Sequence, residues 1–412
     1  MKKWLIILSI IFAAGFITSA ALAGKVYYSG LQTYEDYDKQ VMDLQALENI
    51  HIQSAVPVEI HPTKGEPYAE FTQKFTDLVG LAPKYELKIE EKGNSTQINL
   101  NAIEEIIVYL GVKEDQAKLT VYLPEGTINR LEIVGYGYRV VNKHRENINL
   151  ENINVNELKI DTDYAEIHLD GNYNKVNIRA LNGILNMKSK TLAKLNTSGI
   201  RHQYIEGLFE KINIENSRGD VTINSLKPCK AEIESYNSNI QLEGQFAEIN
   251  MNGYDMEVEL NSETDCKLLT QGNNNMIYAN GSFGVMDFKE VGSKIEVQTT
   301  VIPKSIKMLE SACETSLTLT LPSNIKGITL KYMNQNGGTY DYYYDEADHI
   351  EPSFADHEFK LESDFLPFNQ EIENGHFIYK YGDGEVKIVL NQNAEISLEL
   401  IDGGYTSVSK AE

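Results

Sequence analysis

Apolar residues recur through the middle of this 412-residue chain with a period of about eighteen. Leu158 and Ile160 are followed by Ile167 and Leu169, and the same offsets return at Ile212, Ile214, Val221 and Ile223. They return again at Ile249, Met251, Val258 and Leu260, and at Met286, Phe288, Ile295 and Val297. Looser copies begin at Val176, Leu195, Ala231, Leu268 and Ile306, so that successive starts lie 17 to 20 residues apart. Self-similarity at a fixed short period is the signature of a repeat architecture.

Within each copy apolar and polar residues alternate, which is strand periodicity and not helical periodicity. Turn residues separate the two short strands, as in Asn216-Ser217-Arg218-Gly219-Asp220 and Gly272-Asn273-Asn274-Asn275. A third apolar column follows the second strand: Leu192, Phe209, Leu226, Phe246, Phe283 and Ile302. Two strands, corners and a third inward contact in about eighteen residues make one coil of a β-solenoid, which buries its apolar face only by stacking on its neighbours. A large β-sandwich also spaces its strands regularly, but the constant offsets favour the solenoid. Cys229 and Cys266 each precede a coil start by two residues. They therefore share a column two coils apart, about 9–10 Å, too far for a disulfide. Cys313 holds a different offset, and all three cysteines read as free, structural thiols.

The chain opens with Lys2-Lys3 and an uncharged run from Trp4 to Ala23. Such a run in a helix spans a bilayer, and the flanking lysines predict a cytoplasmic N-terminus with everything after residue 25 extracytoplasmic. The competing reading is a signal peptide cleaved after Ala23, since Ala21-Leu22-Ala23 has the small-x-small form. Residues 26–45 then form a membrane-proximal linker and 46–130 an N-terminal β cap. That cap holds strands such as Ile50-His51-Ile52, Val58-Glu59-Ile60 and Leu119-Thr120-Val121-Tyr122-Leu123-Pro124. Residues 131–325 carry the repeats, opening on Leu131-Glu132-Ile133, and 326–412 form a C-terminal β cap with an insertion at 340–374. The last cap contains Gly382-Asp383-Gly384-Glu385-Val386-Lys387-Ile388-Val389-Leu390 and Glu395-Ile396-Ser397-Leu398-Glu399-Leu400, a closing strand pair that shields the open end. The expected fold is thus all-β: a β-solenoid with strand-rich caps behind one N-terminal transmembrane helix.

On the anchor, the Ile-x-Ile and Val-x-Ile strands, the Leu119–Pro124 string, the repeated strand pairs and the strand after Gly-Asp-Gly, the chain resembles a known family. It is similar to the putative-adhesin β-solenoid domain of Gram-positive bacteria, a family of unknown function. Some members are membrane-anchored and encoded with Lia-type cell-envelope stress systems. The resemblance covers most of residues 45–402. It implies an envelope location and a part in stress sensing or response, and it supplies no catalytic residue to carry over.

Composition narrows the partners. Sixty acids against 37 Lys and Arg leave a net charge of −23, which excludes the basic surface that nucleic-acid binding needs. No P-loop, dinucleotide, zinc-protease or nucleophile-elbow motif is present, so no cofactor and no catalytic or metal site is expected. His349 and His357 come nearest to a ligand pair but lie in a solvated acidic stretch. Asp161, Asp163 and Asp170 lack the spacing of a calcium loop. Arg201-His202 sits on a corner, and the offsets place Asp220 and Glu257 in one column with Asn239 between them and Lys294 beyond. That alternation reads as a solvated face and not as the converging acids of a glycosidase.

The stretch 340–374 differs in kind, with eleven acids against Lys360 alone and eight interleaved aromatics. A long solvated insertion is the simpler reading. The sharper one is a cationic-ligand site built from Tyr340, Asp341, Tyr342, Tyr343, Tyr344, Asp345, Glu346 and Asp348. Carboxylates would draw an antimicrobial peptide or a basic partner protein, and tyrosines would pack its apolar side. The function expected from the whole sequence is a non-catalytic, membrane-anchored interaction surface at the cell envelope. Adhesion to wall polymer or a host surface is the alternative, with a carbohydrate-active enzyme behind it.

Overall fold

The computed structural model describes residues 34–77, 83–104, 114–135, 146–308, 315–333, 361–363, 369–373, 376–391 and 395–401. All regular structure among them is strand, as the period-2 alternation predicts, and none is helix. The uncharged run 4–23 lies outside the described residues. Two compact units divide the chain: residues 1–153 with 161–166, and residues 154–160 with 167–412.

In the first unit, Asn49–Ser54 runs parallel to Ser95–Glu104 and to Gly126–Gly135, so that Ile50 faces Thr96 on one side and Leu131 on the other. Val58–Thr63 likewise lies beside Lys118–Pro124 and Glu146–Glu151, again in parallel. Ile50, Ile52, Val58, Ile60, Ile98, Leu131 and Ile133 are all buried between these strands. Antiparallel strands flank them: Tyr68–Asp77 beside Lys118–Pro124, Tyr34–Asp43 beside Tyr68–Asp77, and Lys84–Lys92 beside Ser95–Glu104. The free edge of Lys84–Lys92 is covered by one side chain. The Gln40 amide donates to the Tyr85 carbonyl (3.1 Å) and accepts from the Leu87 N–H (2.9 Å), as a paired strand would.

The second unit is a stack of parallel coils, and its register matches the spacing of the sequence repeat. Val176 pairs with Leu195, Leu195 with Ile212, and Ile212 with Ala231. Leu268 pairs with Met286, and Met286 with Ile306. The chain from Val221 to Asn273 stays in the ladders throughout, its coils joined by corners with no intervening loop. Beyond the regular coils, Ile306 pairs with Ile388 and Leu317 with Ile396, so the strands Val386–Asn391 and Glu395–Ile401 continue both ladders.

Two corners explain the composition of the repeat. At the first, Asn182, Asn237, Asp255 and Asn274 adopt φ of 49–56°, the left-handed region that short polar side chains tolerate best. At the second, Gly207, Gly244 and Gly281 stand at φ 128°, 101° and 132°. A Cβ at any of them would collide with the carbonyl of Ser189, Ser225 or Ser262 in the coil before. Those serines turn the same corner differently, each donating its hydroxyl to the carbonyl two residues on (2.7, 2.7 and 3.0 Å).

The third apolar column needs correction. Leu192 and Leu226 are half exposed, at 50% and 52%, and Ile302 is intermediate. The residues that point inward are Tyr173, Ala193, Phe209, Cys229, Phe246, Cys266 and Phe283, each buried to 1% or less. Large and small side chains alternate strictly, because neighbours in adjacent coils share one volume and two rings at successive levels overfill it. Cys229 and Cys266 are thus free thiols filling the small places, with Phe246 between them in the column; Cys313 lies outside the described residues. The true repeat is two coils: Gly207-Leu208-Phe209, Gly244-Gln245-Phe246 and Gly281-Ser282-Phe283 recur every 37 residues.

Candidate functional site

The predicted cationic-ligand residues Tyr340 to Asp348, together with His349 and His357, lie outside the described residues. The positions considered for chemistry on the coils are described. His202 Nδ1 lies 3.2 Å from Asp220 Oδ2, and Asn239 Nδ2 donates to Asp220 Oδ1 at 3.2 Å. Glu257 pairs in register with Met276, and Met276 with Lys294. Asp220 and Glu257 therefore stay two levels apart with an amide between them, a spacing that brings no two carboxylates onto one bond. Among the described residues no group of three or more His, Cys, Asp or Glu is placed to hold a metal ion.

A shallow cleft of about 460 Å³ opens on the first unit. Its floor is set by strand register: Gln97, His51 and Glu132 form one row, and Ser95, Asn49 and Arg130 the next. His51 Nδ1 and Arg130 Nη2 each approach Glu132 Oε2 at 3.4 Å. Amide, imidazole, carboxylate and guanidinium groups together suit hydrogen bonding to a polar ligand.

Two buried carboxylates went unread in the sequence, although strand parity points to both. Glu290 follows Phe288 by two residues and Glu146 precedes Ile148 by two, so each inherits the inward direction of its neighbour. Glu290 is fully buried, and Asn275 Nδ2 and Ser293 Oγ both lie 2.9 Å from its Oε2. Gly272, opposite it in register, packs on the Gly253 carbonyl and beside the Asn275 amide that donates to Glu290. Burial raises its pKa against the pull of those donors. In the first unit Glu146 is 1% exposed, accepts a hydrogen bond from Thr162 and presses on Gly135, where any Cβ would strike the carboxylate. Burial pushes its pKa up to about 7, with the nearby charge of Asp163 adding to the effect. Each acid belongs to a polar network inside its own unit.

The outward columns are the other candidate surface. Lys175, Lys194, Lys211 and Lys230 occupy equivalent places on successive coils, and each pairs with an acid: Glu157 (3.0 Å), Glu210 (3.1 Å), Glu232 (2.6 Å) and Glu248 (3.8 Å). Beside them Asn196 Nδ2 donates to Asn177 Oδ1 of the preceding coil at 2.8 Å.

No curated protein matches the chain in sequence. Solved structures similar to it include a putative cell adhesion protein from Clostridium sporogenes, at 11% identity over 89% of this chain and 100% of that one, with a TM-score of 0.19. Putative adhesins from Parabacteroides merdae (12% identity, 69% and 96% covered, TM-score 0.26) and Bacteroides fragilis (9%, 89% and 97%, 0.19) are similar in the same way. Scores this low carry no argument. The family model of Toastrack DUF4097 matches residues 47–321, which include the first parallel strands and the regular coils. With well over half of its length accounted for in this way, the protein belongs to the Toastrack DUF4097 family, a domain family of unknown function.

Proposed function

We propose that this Toastrack chain is a non-catalytic interaction surface at the cell envelope, held in the membrane by residues 4–23 and facing outward after residue 25. The observation that carries the interaction role is the outward lysine column, which stands at the same place on four successive coils. A column that repeats over several coils offers an extended partner the same contact at each step, whereas a reaction centre needs unlike groups to converge. The envelope location is supported by Lys2-Lys3 ahead of an uncharged run of bilayer length. A place in envelope-stress sensing follows from the family resemblance alone.

In this reading the acidic, aromatic stretch 340–374 takes a cationic amphipathic peptide or the basic part of an envelope protein. The test titrates the detergent-solubilised full-length chain with a synthetic lysine–leucine amphipathic helix. Wild type binds and loses affinity with salt; deletion of 340–364 abolishes the binding. Equal binding by the deletion variant overturns the assignment. Protease added to intact spheroplasts checks the topology, since cleavage of the body from outside is expected. Adhesion to wall polymer or a host surface is the second reading, favoured by an aromatic ridge on the coils.

A further inference from the structure

Tyr254 stands on an exposed corner of the second unit, just before Asp255, which makes the left-handed turn at φ 54°. Its ring centroid lies 4.8 Å from that of Tyr236 in the preceding coil, at an interplanar angle of 39°. Tyr236 is fixed in turn, because its hydroxyl donates to the Glu234 carboxylate. In the following coil Gly272 packs against the Gly253 carbonyl, which sets Asn273 where a third tyrosine would stand. So short a side chain leaves the outer face of the Tyr254 ring uncovered, and Tyr254 keeps 42% of its surface exposed.

The surroundings are unusual for this chain. Exposed side chains that flank Tyr254 in the chain or in the neighbouring coils include Asn237, Asn252, Gln271, Asn273, Asn274 and Asp255, with the charges of Glu234 and Arg218 on the Tyr236 side. On a protein of net charge −23, five amides in one place do not serve solubility and do not select an ion of either sign. Nor is there the contiguous apolar area that a protein partner buries. A neutral saccharide fits both halves of the site. The C–H face of a pyranose stacks on a phenol ring, and its hydroxyl edges need donors and acceptors together, which side-chain amides supply.

We infer that Tyr254, backed by Tyr236 and rimmed by Asn273, Asn274 and Asp255, binds a neutral saccharide at this corner. This rests on the reading of the protein as an interaction surface and names a ligand class for it.

The test is calorimetric titration of the detergent-solubilised full-length chain. One arm uses a β-1,4-linked N-acetylglucosamine hexamer, as in wall glycan, and the other lacto-N-tetraose, as on animal-cell surfaces. Binding in either arm is expected, and the arm that binds identifies the source. Tyr254→Ala weakens it at least about tenfold, while Tyr254→Phe stays within about threefold of wild type. Both variants keep the melting temperature, since the ring is on the surface. Wild type that binds neither sugar overturns the inference, as does Tyr254→Ala binding like wild type. If sugars fail but the lysine–leucine peptide still binds, only the ligand class falls and the interaction surface stands.

Discussion

Two inward columns run the length of the same coil stack and are built on opposite principles. The column Tyr173, Ala193, Phe209, Cys229, Phe246, Cys266, Phe283 is dry, and it is filled by alternating large and small side chains. The column at the asparagine corner is polar. Ser235 Oγ donates to the Ser217 carbonyl (3.1 Å), Asn275 Nδ2 donates to the Gly253 carbonyl (3.2 Å), and the run ends on Glu290. The first is held by volume and fails when volume changes. The second is held by paired donors and acceptors, and is sensitive to charge. A stack of nearly identical coils therefore carries two separate modes of failure, and Glu146 shows the second mode again in the first unit.

The strongest way to break the contrast is Phe246→Ala. It empties one large place between two cysteines, and a loss of about 3–5 kcal/mol in unfolding free energy is expected by denaturant titration. A loss below 1 kcal/mol would show that neighbouring coils collapse into the space and that strict alternation is not required.

Charge is tested by Glu146→Gln. The Glu146 pKa is about 7 in the folded chain against 4.5 for an ordinary glutamate, so between those values the folded chain holds a proton that the unfolded chain has released. Stability from this group is full below about pH 4.5, declines as pH rises, and is gone above about pH 7, a change of about 3 kcal/mol. In the glutamine variant that decline disappears from the stability–pH profile, while Phe246→Ala lowers the curve at every pH. Glu290→Gln acts in the same direction as Glu146→Gln. A wild-type profile that rises from pH 5 to pH 8 with no relief in either variant contradicts the assignment.

Gly244→Ala forces a Cβ onto the Ser225 carbonyl at φ 101° and is expected to cost about 1–3 kcal/mol. The same change at exposed Gly65, whose φ is not in the left-handed region, serves as its reference. The smallest effect sharpens the corrected column: Leu226→Ser stays within about 0.5 kcal/mol of wild type, because Leu226 faces solvent. A cost of several kcal/mol there would restore Leu226 to the interior.

Strand pairs were legible because alternation and a constant offset report the same parity. Leu158 with Ile160 and Val258 with Leu260 are buried where their spacing places them. Parity would also have exposed Glu290 and Glu146, had acids been counted with the apolar residues at inward places. The third column failed for a physical reason. A corner interrupts alternation, so the run Leu226-Lys227-Pro228-Cys229 offers two inward candidates, and hydrophobicity favours the wrong one. The Tyr236–Tyr254 ridge was not visible either, since its residues lie far apart in sequence and meet only through the coil register.

By itself the sequence determined the all-β class, the coil length and the partner residues of each ladder, because local alternation and repeat spacing survive in one dimension. The tertiary structure alone decided which side chain enters at a corner, where a carboxylate sits beside a glycine, and which tyrosines share a surface. Those choices depend on the volume and the hydrogen-bonding groups left by the coils above and below, and stacking creates both.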